Sequence, residues 1–184
     1  KVVSRMYELF ILGQLMDRPM TGYQLRKALV SVVGQELTIS FGALYPLLDK
    51  LAAAGELQLD FKTTSKRPQK VATLTKSGQQ HFWQLILAPV CLNNQTQLTF
   101  LIKLNFLHLL TLSQQLTVLA DFQAFAQGQL TRLTEHQVQL QHNVHMLAAD
   151  IADALLVVDL QLVRAQAQFD WVTTLIQTKK ETER

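Results

Sequence analysis

The hydrophobic pattern predicts a mainly α-helical chain with one small β-hairpin in its first half. Apolar residues recur at helical spacing through most of the 184 residues. The spacing changes to alternate residues only around residues 57–74, where two short strands are expected. Beyond residue 112 the apolar spacing becomes a heptad repeat, which is typical of long helices packed side by side.

The distribution of charge indicates two domains, residues 1–90 and residues 91–184. The first half contains eleven Lys or Arg and six Asp or Glu, whereas the second contains six and eight. The resulting net charges of +5 and −2 favour a basic first domain that binds polyanions, although ordinary solubilising charge explains the difference equally well.

Two further features of the sequence bear on where in the cell the protein is located. Cys91 is the only cysteine, so no internal disulfide forms and the reducing cytoplasm is the expected location. The most apolar stretch, Leu98–Leu112, contains Lys103 and His108. It also falls short of the roughly 20 apolar residues that a membrane span needs. No membrane association is therefore expected.

The first part of the sequence predicts two helices separated by a helix-breaking proline. Residues 5–16 form an amphipathic helix, and Pro19 prevents its continuation. Thr21 and Gln24 have the spacing of a capping box, in which each side chain accepts a hydrogen bond from the backbone N–H of the other residue. This motif predicts a second helix that runs to about Val33.

A third helix is expected between Ser40, a good N-cap residue, and Gly55. Pro46 breaks the local rules because its ring presses on the carbonyl group of residue 42, and Gly42 offers relief from that strain. Exceptions of this kind often occur at functional sites. The leucines at i, i+3, i+4 and i+7 form the inward face: Leu44, Leu47, Leu48 and Leu51.

The alternation of apolar and polar residues begins at Leu57. A second short strand is expected at residues 70–74, after a polar loop. Another helix is expected to begin near Thr75. Three helices followed by a hairpin and a helix make up a winged helix-turn-helix. In such a fold, the hairpin loop with Lys66 and Arg67 forms the tip of the wing.

This fold predicts binding to double-stranded DNA. The second helix of the turn motif lies in the major groove, and helix N-termini donate N–H groups to phosphates. A basic hairpin tip follows the backbone or enters the minor groove. The alternatives are a solvated turn at the tip and a covering role for Tyr45 on the domain surface. The candidate DNA contacts are Thr21, Tyr23, Ser40, Phe41, Gly42, Tyr45, Lys66, Arg67 and Lys70.

Five short runs, in this order and at these spacings, resemble the PadR family of transcriptional regulators. The resemblance implies a winged helix-turn-helix, a C-terminal domain that dimerises the protein, and a Leu-Tyr-Pro pattern on the recognition helix that accounts for Pro46. It favours repression, although activation is known in relatives. The family's usual acidic residue after the leucines and its tyrosine-rich second strand are absent. The matching runs are residues 11–15, 21–25, 42–48, 66–68 and 74–78.

The second half contains two heptad seams, Leu112–Leu147 and Ile151–Ile176. Leu156, Leu160 and Val163 add a second apolar side to the later helix. An isolated two-helix hairpin hardly buries so much apolar surface, so a homodimer is expected. Docking of these helices onto the first domain is the alternative. The candidate dimerisation residues are Leu155, Val158, Leu162, Phe169 and Val172.

Other kinds of site are weakly supported. His136, His142 and His145 lack the Cys, Asp or Glu that completes a compact metal site, so neither a metal nor a cofactor is expected. No catalytic arrangement stands out, and an enzyme is not expected.

The resemblance to PadR proteins, some of which respond to phenolic acids, is compatible with a small aromatic effector. Core packing is the alternative for the aromatic residues that would line its site. The competing function for the whole chain is a helical protein–protein interaction module that does not bind DNA. The candidate effector residues are Trp83, Phe106 and Trp171.

Overall fold

The chain folds as two compact units, residues 1–110 and residues 111–184. The boundary lies later than the one expected at residue 90, because a helix at residues 96–105 packs within the first unit. None of the helices described here is long and apolar enough to cross a membrane. A computed structural model describes residues 2–34, 39–62, 69–90, 92–93 and 95–182.

The first unit is a winged helix-turn-helix extended by one further helix, and the predicted fold class is confirmed. A short 3-10 helix, Leu107–Leu109, follows the last α-helix of this unit. In chain order, the elements are α1 (Val2–Asp17), β1 (Met20–Thr21), α2 (Gly22–Val33), α3 (Phe41–Ala53), β2 (Leu57–Lys62), β3 (Gln69–Leu74), α4 (Lys76–Leu87) and α5 (Thr96–Asn105).

The three strands form one antiparallel sheet in the order β1-β3-β2. The hairpin pairs Leu57 with Leu74, and β1 pairs Met20 with Ala72 on the other edge of β3. The hairpin was predicted, whereas β1 was not. A strand of two residues has no periodicity of its own, and it exists only because β3 supplies its hydrogen-bond partners.

Side-chain caps begin α2, α3 and α4 at the predicted residues. Thr21 Oγ1 accepts from the Gln24 N–H at 3.2 Å, and Gln24 Oε1 accepts from the Thr21 N–H at 2.8 Å. Ser40 Oγ accepts from Ala43 at 3.2 Å. Thr75 Oγ1 accepts from Gly78 at 3.1 Å. Each cap satisfies a backbone donor that the first turn of a helix leaves unpaired.

Helix α1 lies at the centre of the first unit and is buried on more than its predicted face. Ile11, Leu12 and Leu15 are buried in addition to Leu9 and Phe10. The reason is that α4 and α5 both pack on α1, so that apolar residues on more than one side of this helix are covered.

Helix α5 and the residue after it, Phe106, belong to this core. The ring of Phe106 lies so close to Gly13 that a Cβ at residue 13 would be 2.5 Å from it. Lys103 is almost fully buried, and its Nζ donates to the Ala88 carbonyl oxygen at 2.5 Å. These contacts explain why the first unit extends beyond residue 90.

The second unit is an antiparallel hairpin of two long helices, α6 (Leu112–Gln141) and α7 (Ala148–Glu181). Polar pairs cross its apolar seam. Gln123 Nε2 donates to Thr173 Oγ1 at 2.8 Å, and Gln137 Nε2 donates to Asp159 Oδ1 at 2.6 Å. The glutamines that interrupt the first heptad seam therefore lock the register of the hairpin.

The heptad spacing continues in the sequence beyond the point where α6 ends. Val144 and Leu147 occupy seam positions, but the helix ends at Gln141 and both side chains are exposed, at 86% and 73%. The extension of the first seam to Leu147 is therefore wrong. The chain turns between the two helices at these residues, so they have no facing helix to pack against.

Candidate nucleic-acid interface

The start of α3 presents a set of exposed side chains at the N-terminus of the helix. Ser40, Phe41, Ala43 and Tyr45 are exposed, and Leu44 points into the core. The space beside Gly42 is open, since a Cβ there would meet only Ser40 Oγ at 3.8 Å. The leucines thus fix this helix on the domain while its first turns face outward.

Two aromatic rings dominate this surface, and neighbouring residues hold both in place. Phe41 and Tyr45 stack with their ring centroids 6.0 Å apart. The Arg26 guanidinium lies 4.7 Å from the Phe41 centroid, within cation–π range. Tyr45 in turn packs on Gly22, where a Cβ would lie 3.0 Å from its ring. We name Phe41, Gly42, Ala43 and Tyr45 the recognition patch.

Arg26 was not among the predicted contacts. No local pattern reveals its position, because the position depends on how α2 crosses α3. Gly22 carried a signal in the sequence, since a glycine directly after an N-cap leaves room for a side chain from another element. Its importance becomes visible only once Tyr45 is known to pack there.

Carboxylates hold two lysines near α3. Lys50 Nζ lies 2.7 Å from Oε1 of Glu8, whose side chain is almost completely buried. Lys70 forms an ion pair with Asp49, which links β3 to α3. Lys70 therefore has a structural partner within the protein. The wing-tip candidates Lys66 and Arg67 lie outside the described residues.

The two candidates at the start of α2 differ in their surroundings. Thr21 participates in the capping box through its hydroxyl and its backbone N–H. Tyr23 is 65% exposed. Of these two side chains, only that of Tyr23 is largely open to a ligand.

The winged topology, the exposed start of α3 and the order of elements can be compared with known proteins. Residues 11–84 match the family model described as the Transcriptional regulator PadR-like family. Over these residues, the chain is similar to the PadR-like family. We call residues 11–84 the PadR-like domain.

Several solved structures are similar to the chain over most of its length. Bacillus subtilis PadR in complex with operator DNA is 20% identical, with 93% of this chain and 96% of that chain covered and a TM-score of 0.42. The same protein in complex with p-coumaric acid is 20% identical over 98% of each chain, with a TM-score of 0.40. A PadR-like regulator from Bacillus cereus is 18% identical over 96% of this chain and 99% of that one, with a TM-score of 0.39. No curated protein matches the chain.

The predicted effector residues lie in different surroundings. Trp83 and Phe106 belong to the first unit, and Phe82 lies between them with ring centroids 5.2 and 5.8 Å away. Phe106 is buried beside α1 of the PadR-like domain. Trp171 belongs to the second unit, is half exposed, and contacts Phe122. Their role towards an effector stays a prediction.

The predicted dimerisation residues also divide into two groups. Val158 and Val172 are buried in the hairpin seam of the same chain, so they are not available to a partner. Leu155, Leu162 and Phe169 are partly buried beside that seam. The large apolar residues that remain exposed on α7 are others: Leu156, Val157, Leu160, Val163 and Trp171.

The histidines of the second unit do not lie in a cluster of potential metal ligands. Within the part of the chain that the structure describes, no three His, Cys, Asp or Glu side chains gather as metal ligands would. His142 caps the end of α6, and its Nδ1 lies 2.8 Å from the Val138 carbonyl oxygen.

Proposed function

We propose that this protein is a cytoplasmic, homodimeric repressor that binds a specific double-stranded operator through α3 and the wing. The observation that carries the proposal is the exposed recognition patch, which lies at the N-terminal end of the second helix of a helix-turn-helix. In such motifs that end approaches the base edges. The backbone N–H groups in the first turn of α3 and the Tyr45 hydroxyl are suited to phosphate oxygens.

Dimerisation through the helical hairpin is the second part of the proposal. Helix α7 buries one apolar face against α6, yet Leu156, Leu160 and Val163 form a second apolar stripe on its opposite side. A stripe at i, i+4 and i+7 has the spacing of a helix–helix contact. A twofold dimer would bring two copies of α3 to half-sites roughly 34 Å apart, one turn of DNA, or a multiple of that distance.

The direction of regulation and its control complete the proposal. A dimer bound across a promoter blocks the approach of the transcription machinery, which favours repression. A small aromatic effector that changes the spacing of the two α3 helices would release the DNA. Trp83 and Trp171 keep part of their surface accessible to such a ligand, whereas Phe106 must leave the core of its unit to contact one.

The first experiment is a gel-shift titration against the DNA upstream of the protein's own gene, at two salt concentrations. We expect a discrete complex that survives non-specific competitor and weakens steeply as salt rises, because phosphate contacts release bound counterions. An interaction module without DNA binding predicts no such complex. A complex that is insensitive to salt would contradict phosphate contacts by the patch and the wing.

Charge variants test the wing directly. If Lys66 and Arg67 each neutralise a phosphate, their combined replacement by Ala lowers the slope of log affinity against log salt by about 1.8. The matched control replaces Arg164 and Lys180 by Ala, which removes the same charge from exposed positions on α7. We expect the control to keep the wild-type slope, and an equal effect of both pairs would show that only net charge matters.

A further inference from the structure

The first two turns of α3 carry none of the side chains that read bases by paired hydrogen bonds. Arg and Lys recognise guanine in this way, and Asn and Gln recognise adenine. The described residues 41–48 read Phe-Gly-Ala-Leu-Tyr-Pro-Leu-Leu. The part of the helix that approaches base edges in a helix-turn-helix is therefore apolar except for one phenol hydroxyl.

The exposed surface of these turns is apolar and held in a fixed arrangement. Phe41 lies between the Arg26 guanidinium and the Tyr45 ring. Ala43 exposes a methyl group, and the open space beside Gly42 allows another molecule to come close to the backbone. A preorganised surface of this kind makes contact without first losing side-chain freedom.

The two neighbouring lysines do not change this character, and the Arg26 guanidinium lies over the Phe41 ring. Glu8 holds Lys50 by an ion pair, and Asp49 holds Lys70. Both carboxylates belong to the protein itself and draw these ammonium groups towards the domain. Cationic reading of guanine is thus not what the described residues of α3 and β3 offer.

We infer that α3 recognises thymine bases in its operator through their C5 methyl groups. Among the four bases, only thymine displays a methyl group in the major groove, and its usual protein partners are Ala, the Thr methyl group and Phe. Ala43 and Phe41 supply two of these partners at the exposed start of the helix. The inference rests on the proposed DNA-binding function and assigns its base chemistry.

Replacement of single thymines by deoxyuridine tests the inference, because it removes the methyl group and preserves base pairing. Each thymine in the footprint is replaced in turn, and affinity is measured by gel shift with the full-length protein. We expect at least one thymine in each half-site whose replacement weakens binding about fourfold. This is the change in affinity that corresponds to the burial of one methyl group. Replacement of the symmetry-related pair is expected to weaken binding roughly fifteenfold. Replacements outside the footprint serve as the DNA control.

A matched pair of protein variants assigns the effect to the recognition patch. Ala43→Gly is expected to bind the thymine and deoxyuridine operators with more similar affinities, because the methyl group has lost its partner. Ala53→Gly makes the same change at an exposed residue in the last turn of α3. It should retain the full discrimination. Phe41→Ala is the second variant, should Ala43→Gly fail to fold.

The possible outcomes separate the inference from the proposed function. A specific complex in which every deoxyuridine replacement changes affinity by less than about twofold would overturn thymine recognition and leave DNA binding intact. A strong loss of affinity when single guanines are replaced by 7-deaza-deoxyguanosine would indicate that other residues read guanine. Failure to form any specific complex would overturn the proposed function and this inference together.

Discussion

Gly78→Ala is expected to destabilise the first unit by about 3 kcal/mol, the upper end of what forcing extra atoms into a packed site costs. A Cβ at this position would lie 2.2 Å from the Glu56 carbonyl oxygen and 2.6 Å from Leu74 Cδ1. The carbonyl group has little freedom to move, since it accepts from Thr75 N at 3.1 Å and Thr75 Oγ1 at 3.0 Å. Relief of the clash therefore separates α4 from the turn after α3.

The two tryptophans, one in each unit, allow this loss to be measured where it occurs. Urea unfolding of the Trp171→Phe protein, followed by the fluorescence of Trp83 in α4, reports on the first unit. Gly128→Ala is the control, because its Cβ would meet only the mobile end of Arg132 at 3.3 Å. Helix propensity predicts that this control gains up to about 1 kcal/mol, measured through Trp171 in a Trp83→Phe background. Unchanged stability of Gly78→Ala would contradict the close approach of α4 to Glu56.

The elements predicted correctly are those that carry their own local signals. Thr21, Ser40 and Thr75 cap helices through their own side chains. Gly55, with a φ of +74°, ends α3 as only glycine does at little cost. The hairpin was equally visible, because apolar and polar residues alternate along β2. Leu57 is buried, as the alternation predicts, whereas Phe61 near the end of the strand is 71% exposed.

The elements that were missed lack such signals. Gln95 and Leu147, the residues before α5 and α7, make no side-chain cap hydrogen bond. The start of α5 and the turn before α7 were therefore not evident from local sequence. That α5 packs on α1 is a matter of long-range packing, as is the burial of Phe106 against Gly13. An aromatic residue at helical spacing does not reveal which element covers it.

The candidate site also has features that follow from local sequence and features that depend on long-range packing. Exposure of Phe41 and Tyr45 follows from the inward stripe of leucines on α3, which any helical projection yields. The ion pair of Lys70 with Asp49 and the placement of Arg26 over Phe41 depend on how separate elements cross. The sequence therefore indicates which helix is the candidate for DNA contact. The contacts of its side chains with other elements can be identified only from the three-dimensional structure.

Leu160→Asp is expected to convert the proposed homodimer into a monomer. The side chain is 52% exposed within the single chain, so a carboxylate there remains hydrated when the subunit is alone. Burying that charge in an apolar interface costs several kcal/mol, which weakens dimerisation by more than about 100-fold. Leu162 is a poorer test, because it is partly buried in the chain and lines a groove between α6 and α7. A change there disturbs the hairpin itself.

Sedimentation equilibrium measures the dissociation constant, and circular dichroism confirms that the helices remain folded. Gln161→Asp introduces the same charge at the next residue, which is exposed but lies about 100° around the helix from Leu160. If the stripe is the interface, Leu160→Asp sediments as a monomer while Gln161→Asp stays dimeric. A dimer binds both half-sites at once, whereas a monomer binds only one. The monomer should therefore also bind its operator far more weakly than the dimer. Dimeric Leu160→Asp would show that the copies meet elsewhere, and a monomeric wild-type protein would remove the dimer from the proposed function.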